Sequence, residues 1–134
     1  MEENPNDARY SLTDSAKMFY VRENNPTSLV PVVLMLTHPV LMAPWHHLHE
    51  CVLQDGNAFE KAHGKDLWAY EKDDPAVNDV FNNSMSTLTV LGMGQILSYY
   101  DSFKEVNTLV DVGRGKGMTL VHIVKAYAIS SSQP

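Results

Sequence analysis

The sequence predicts a mostly α-helical fold that leads, late in the chain, into one β-α unit of the doubly wound α/β type. Three observations predict it. Apolar residues at Leu41, Trp45, Leu48 and Val52, and again at Val77, Val80, Phe81, Met85 and Leu88 with Ser84 among them, recur at the helical period. Asp74-Pro75 combines an N-cap residue with proline at the first helical position. Finally, the apolar run Leu109-Val110-Asp111-Val112 enters Gly113-Arg114-Gly115-Lys116-Gly117, which reads as strand, tight turn and helix start.

Each element follows in order. Residues 1–8, with Asn4, Pro5, Asn6 and Asp7 clustered, are expected to be disordered. Tyr10 and Leu12, then Met18 to Val21, are expected to form two short strands or a ribbon. Glu23 to Pro26 form a turn, and Thr27 or Ser28 caps a helix starting near Leu29, with Pro31 tolerated in its first turn. Thr37-His38-Pro39 repeats this signal and opens a helix running to Leu53. Pro44 kinks that helix or delays its start, and Asp55-Gly56-Asn57 ends it. Asn57 to Tyr70 gives two short helices around Gly64, and the helix after Asp74 carries its apolar face to Leu88. Gly92 and Gly94 interrupt the pattern, so a second helix over Gln95 to Phe103 follows or continues the first. Asn107 to Val112 is expected as a buried strand. Gly117 to Tyr127 is expected as a helix with Leu120, Val121, Val124 and Tyr127 inward, and Ser130 to Pro134 as a frayed end. A parallel-type strand is normally flanked by others and covered on both faces, so this β-α pair reads as a doubly wound domain that begins and is cut off.

Composition narrows the function classes. The 134 residues suit one modest domain, and 44% apolar content supports a buried core. The net charge is −6, with eight acids against three bases in residues 1–60 and eight against seven in residues 61–134. No basic block stands out, which argues against nucleic acid or an anionic membrane as partner. The longest apolar run, Leu29 to Leu36, is broken by Pro31 and too short to span a bilayer. The lone Cys51 leaves no internal disulfide and suits a reducing compartment, and Met1-Glu2-Glu3-Asn4-Pro5 is unlike a signal peptide, so a cytoplasmic location is expected.

The glycine turn carries the chemistry. A nicotinamide-binding loop places its third glycine three positions after the second, whereas here the spacing is two each time. Gly115-Lys116-Gly117 also lacks the Gly-Lys-Ser/Thr ending of a phosphate-binding loop. Alternating glycines after an apolar-Asp-apolar segment are instead similar to the first motif of S-adenosylmethionine-dependent methyltransferases, where a bare backbone lets a cofactor approach. A glycine-rich turn without a ligand stands beside that reading. Phe81 and Met85, at i and i+4, suit clamping a flat ring or plain core packing. His47 and Cys51 share a spacing that suits a metal, but no further ligand completes the set, so no metal site is assigned. Asp73-Asp74 is explained by capping and the helix dipole.

The resemblance extends well beyond the turn. Leu34-Met35 with Val40-Leu41-Met42 and Trp45, then Phe59-Glu60-Lys61-Ala62-His63-Gly64, then Asp74-Pro75 with Asn78, Val80-Phe81-Asn82 and Met85-Ser86, then Ile96-Leu97, then Leu109 to Gly113 stand in one order. In that order, residues 9–127 resemble the plant caffeic acid and flavonoid O-methyltransferase family. The resemblance implies a helical dimerisation and substrate region leading into a Rossmann-like methyltransferase domain, and metal-free transfer of methyl from S-adenosylmethionine to a phenolic hydroxyl. It divides the chain into a tail (1–8), a remnant of the dimerisation domain (9–37), a helical substrate-pocket region (38–106) and the start of a cofactor domain (107–134). It implies cofactor contacts at Asp111, Gly113, Gly115 and Gly117, and a substrate pocket at Met35, Leu41, Phe81 and Met85. The implied partners are a small phenol and a second subunit, as a homodimer or as a heterodimer with a related methyltransferase.

The sequence departs from that family in three ways. Arg114 and Lys116 replace the central glycine and the threonine of Gly-Gly-Gly-Thr-Gly, and Leu88 stands where the family often has histidine. The Arg114 guanidinium pairs with the cofactor's carboxylate or blocks the site, and weakened binding is the expectation. No acidic residue follows Asp111 to hold a ribose, and no residue matches the catalytic histidine, since His63 matches a different segment. The family's early helices would precede Arg9. The expectation is therefore a polypeptide truncated at both ends and without turnover alone, or an interaction module that dimerises with a full-length methyltransferase.

Overall fold

Capping residues set where this chain turns into helix. The structure is a computed structural model and describes residues 10–20 and 27–127. Its elements are α1 (Asp14–Lys17), α2 (Val30–Thr37), α3 (Pro39–Met42), a 3-10 segment (Ala43–His47), α4 (Leu48–Gln54), α5 (Ala58–His63), α6 (Leu67–Asp73), α7 (Pro75–Tyr99), a 3-10 turn (Ser102–Glu105) and α8 (Met118–Tyr127). Asn57 Oδ1 accepts from the Phe59 and Glu60 amides to start α5, and Gly64, at φ 74°, ends it in the left-handed region. Asp66 caps α6 through the Ala69 amide, and Asp74 Oδ1 accepts from the amides of Ala76 and Val77 to start α7 at Pro75. Ser28 Oγ accepts from the Val30 amide at 3.3 Å at the entrance to α2. The expected kink at Pro44 is a 3-10 segment separating α3 from α4, because proline supplies no amide to continue an α-helical ladder.

Helix α7 is the axis of the fold. It packs against α2, α6 and α8, while α5 packs on the 3-10 segment Ala43–His47. Val77, Ser84, Thr87 and Met93 are buried along α7; Phe59 of α5 and Ile123 of α8 complete the set of buried apolar side chains among the described residues. The carboxyl end of α8 is fastened by the Tyr127 hydroxyl, which donates to the Tyr100 carbonyl at 2.7 Å, with the Phe103 ring between Tyr100 and Tyr127 at 5.1 and 6.0 Å.

Three expectations need correction. Residues 10–20 form no ribbon: Thr13 caps the single turn α1 through the Ala16 amide, and Lys17 pairs with Asp14 at 2.7 Å. Of the two alternatives after Gly92 and Gly94, continuation holds: buried Met93 anchors that stretch and α7 runs on to Tyr99, short of Phe103. Asn107 to Val112 is not a strand. A strand needs a ladder partner, and no strand occurs among the described residues; Val110 and Val112 are accordingly 78% and 91% exposed. The predicted β-α unit is thus a loop leading into α8. On α8 the buried residue is Ile123, while Val121 is exposed. The expectations for residues 1–8, Val21, 23–26 and 130–134 lie outside the described residues.

Candidate functional site

A cavity of about 690 Å³ lies between α7 and the glycine loop. From α6 comes Trp68, and from α7 come Phe81, Asn82, Met85, Ser86 and Thr89. The facing wall is Asp111, the loop Gly113 to Lys116, and Met118 and Thr119 at the start of α8. Trp68 meets Phe81 edge to face, with ring centroids 6.2 Å apart and planes at 90°. Phe81 and Met85 share this face because i and i+4 are neighbours on a helix. Ser86 and Thr89 turn their hydroxyls back onto α7, donating to the carbonyls of Asn82 and Met85, so their donors are spent inside the helix. Asn82 is held by Asn78, through both its carbonyl and its side-chain oxygen.

The loop owes its shape to glycine. Gly113 and Gly115 have φ of 73° and 52°, a region side chains rarely occupy, and no atom stands within 4 Å of a Cβ at either position. The backbone is therefore bare towards the cavity. The Gly117 amide donates to the Arg114 carbonyl at 2.7 Å and closes the turn. Lys116 Nζ donates to Asn83 Oδ1 at 2.7 Å and so ties the loop to α7. Asp111, on the cavity wall, has a buried Oδ2 that lacks a hydrogen-bond partner.

Of the residues singled out from the sequence, Phe81, Met85, Asp111, Gly113 and Gly115 come together around this one cavity. Gly117 is buried behind the loop. Met35 and Leu41 are half-buried and line neither this cavity nor a second one of about 350 Å³ between α2 and α7, which includes Leu34, Val80 and Asn83. Leu88 is exposed and away from both. Trp68 comes from the separate short helix α6, and no sequence spacing relates it to Phe81. His63 is structural. Its Nε2 lies 2.8 Å from the Val40 carbonyl oxygen, and its ring packs on Phe59 and Tyr70 at 4.5 and 5.0 Å. Among the described residues no three metal-ligating side chains converge; His47 Nδ1 instead lies 3.3 Å from Glu50 Oε1. No helix there is long and apolar enough to cross a membrane.

Known proteins resemble this chain in sequence and in fold. Residues 45–132 match the family described as O-methyltransferase domain. The chain is 40% identical over 120 residues to desmethylxanthohumol 6'-O-methyltransferase of Humulus lupulus, covering 88% of this chain and 34% of the relative. It is 42% identical over 118 residues to caffeic acid 3-O-methyltransferase of Capsicum chinense, covering 88% of this chain and 33% of that one. The fold matches the solved mitomycin 7-O-methyltransferase MmcR with a TM-score of 0.70 at 26% identity, over 85% of this chain and 32% of that one. The chain thus spans about a third of the length of the relatives it matches.

Proposed function

Since this chain belongs to the O-methyltransferase family, we propose that its cavity is the part of a phenol methyltransferase site where a planar acceptor meets S-adenosylmethionine. The observation that carries the reading is the placement of Phe81 and Met85 opposite Asp111 and the bare backbone of Gly113 and Gly115 across one space. Phe81 and Met85 supply flat, polarizable surface for a phenolic ring of phenylpropanoid or flavonoid type, with Trp68 closing the edge. Met35 and Leu41, which line neither cavity, belong to the acceptor pocket on the family resemblance alone. Asp111 Oδ2 accepts a hydrogen bond from the cofactor, and Gly113, Gly115 and Gly117 allow its close approach. When bound, the cofactor supplies the methyl group, and holding the acceptor oxygen in line is then the chain's main contribution. Residues 38–106 serve as the pocket region, 9–37 as part of a dimerisation region, and 107–134 as part of the Rossmann-like cofactor domain.

A phenol with a pKa of about 10 is mostly protonated near neutral pH, so transfer needs a base. His63 is committed to Val40, and the Nδ1 of His122 lies 2.7 Å from the Met118 carbonyl oxygen; neither lines the cavity. A polypeptide of these 134 residues therefore binds without turning over. Calorimetry with S-adenosylhomocysteine and a labelled-methyl assay on caffeate test the two halves of the proposal. Micromolar binding with no product above a no-enzyme blank is expected. Product formation would overturn the inactivity, and absence of binding would overturn the cofactor site.

A second reading, an interaction module that dimerises with a full-length methyltransferase, is favoured by apolar surface on α2 to α4. Leu34, Leu36, Trp45 and Leu48 are exposed there, and Val52 and Leu53 are 84% and 78% exposed. Light scattering after size exclusion is expected to report a dimer, as a homodimer alone or a heterodimer when mixed with a related enzyme. A monodisperse monomer in both cases would dismiss it.

A further inference from the structure

We propose that Arg114 makes the cavity a carboxylate-binding site, its guanidinium pairing with a carboxylate on the bound ligand. This rests on the cavity being the donor and acceptor site described above.

Charge carries the first part of the argument. The chain has a net charge of −6, yet the charged residues lining the cavity are Arg114, Lys116 and Asp111, two cations against one anion. The cavity is therefore a local cationic spot on an acidic protein, which draws anions in.

The two cations are not equivalent. Lys116 is engaged with Asn83, which holds its ammonium against α7. Arg114 has no ion pair or side-chain hydrogen bond among the described residues, although it lines the cavity. Its aliphatic stem is laid along the loop, with Cδ 3.9 Å from where a Cβ on Gly117 would stand. Arg114 is exposed as well as lining the cavity, so its guanidinium offers five donors to an incoming ligand in place of water. A planar fork of that kind matches a carboxylate through two parallel hydrogen bonds, which a lysine at the same place does not.

Two sources bring a carboxylate to this cavity: the amino-acid end of the methyl donor and an acidic side chain on the aromatic acceptor. The chemistry at Arg114 is the same, and paired probes separate them. S-adenosylhomocysteine is compared with 5'-methylthioadenosine, which lacks the amino-acid carboxylate, and 4-hydroxycinnamate with its methyl ester. Each is titrated calorimetrically into the 134-residue chain, its R114Q variant and its R114K variant. In R114Q the carboxylate-bearing member of one pair is expected to weaken about tenfold, with its carboxylate-free counterpart unchanged. R114K recovers part of that loss, and the difference shrinks as salt is raised to about 200 mM. The pair that responds identifies the source. Equal affinities in wild type and R114Q for all four probes would overturn the proposal, as would equal weakening of both members of each pair. If S-adenosylhomocysteine binds but ignores R114Q and the cinnamate pair does too, the donor site stands and the carboxylate role of Arg114 falls. If no probe binds the wild type, both fall.

Discussion

Lys116 Nζ donates to Asn83 Oδ1 at 2.7 Å, joining the glycine loop to α7 across 33 positions of the chain. Neither partner is buried, so the bond contributes under about 1 kcal/mol to global stability. Its effect is local: segments held by few contacts open independently of the whole fold. Trypsin reads this directly, because the loop contains Arg114 and Lys116 as cleavage sites. N83A is expected to be cut several-fold faster after these residues, with a nearly unchanged thermal midpoint. Equal cleavage rates in N83A and wild type would show that the bond does not restrain the loop.

Asp74 is a more conventional anchor. Its Oδ1 accepts from the amides of Ala76 and Val77 at 3.1 and 3.3 Å, pairing two donors that α7 itself leaves open. D74A is expected to lower stability by about 1 kcal/mol in urea titrations, and D74S to keep most of it. An unchanged urea midpoint in D74A would mean that water or another side chain caps α7 equally well.

These two cases show what a linear sequence exposes. Asp74-Pro75, Asn57, Asp66 and Gly64 act on amides and carbonyls a few residues away, so short-range reading locates α5, α6 and α7. The Lys116–Asn83 bond and the Trp68–Phe81 contact join distant segments, and no spacing encodes them. Residues 107–112 have the composition of a strand, but a strand exists only through its neighbours, and that information lies outside the segment. The cavity residues divide in the same way. The glycine loop and the Phe81–Met85 pair are legible one by one. Their meeting across one space follows from the packing of α7 against α8, which no local spacing encodes. Apolar spacing alone does not single out Ile123 and Met93 as buried, because a helix's neighbours decide which apolar side is covered.

Glu71 of α6 is buried, its Oε1 has no hydrogen-bond partner, and burial raises its pKa above the ordinary value of 4.5. The sign of the effect follows from linkage. The folded state holds this proton to higher pH than the unfolded state, so the stabilisation is complete below about 4.5 and is lost as pH rises through the folded-state value. As pH rises above 4.5, the wild type increasingly bears a cost for burying this carboxyl group that a neutral side chain avoids. E71Q keeps the shape and removes that charge. It is expected to be more stable than wild type at pH 7, with the gap narrowing as pH falls towards 4.5. Urea midpoints of both proteins across that range test this; a gap that widens on acidification would mean that the Glu71 carboxylate is stabilised in the fold.

Helix α7 passes through Gly94 without a break, although glycine in a helix interior costs about 1 kcal/mol relative to alanine. Two facts explain why the helix survives there. Met93 is buried next to it and anchors that turn against the rest of the fold. No left-handed conformation is needed either, since the positive-φ glycines are Gly56, Gly64, Gly113, Gly115 and Gly117. Gly94 is also exposed, and nothing stands within 4 Å of where its Cβ would be. Alanine there meets no clash, adopts the same helical backbone and removes freedom from the unfolded chain. G94A is therefore expected to raise stability by about 0.5–1 kcal/mol, seen as a higher urea midpoint at unchanged slope. The same substitution at Gly113, where φ is 73°, places a side chain in a strained backbone region and is expected to destabilise the loop. A loss of stability in G94A would mean that α7 depends on the backbone freedom of this glycine.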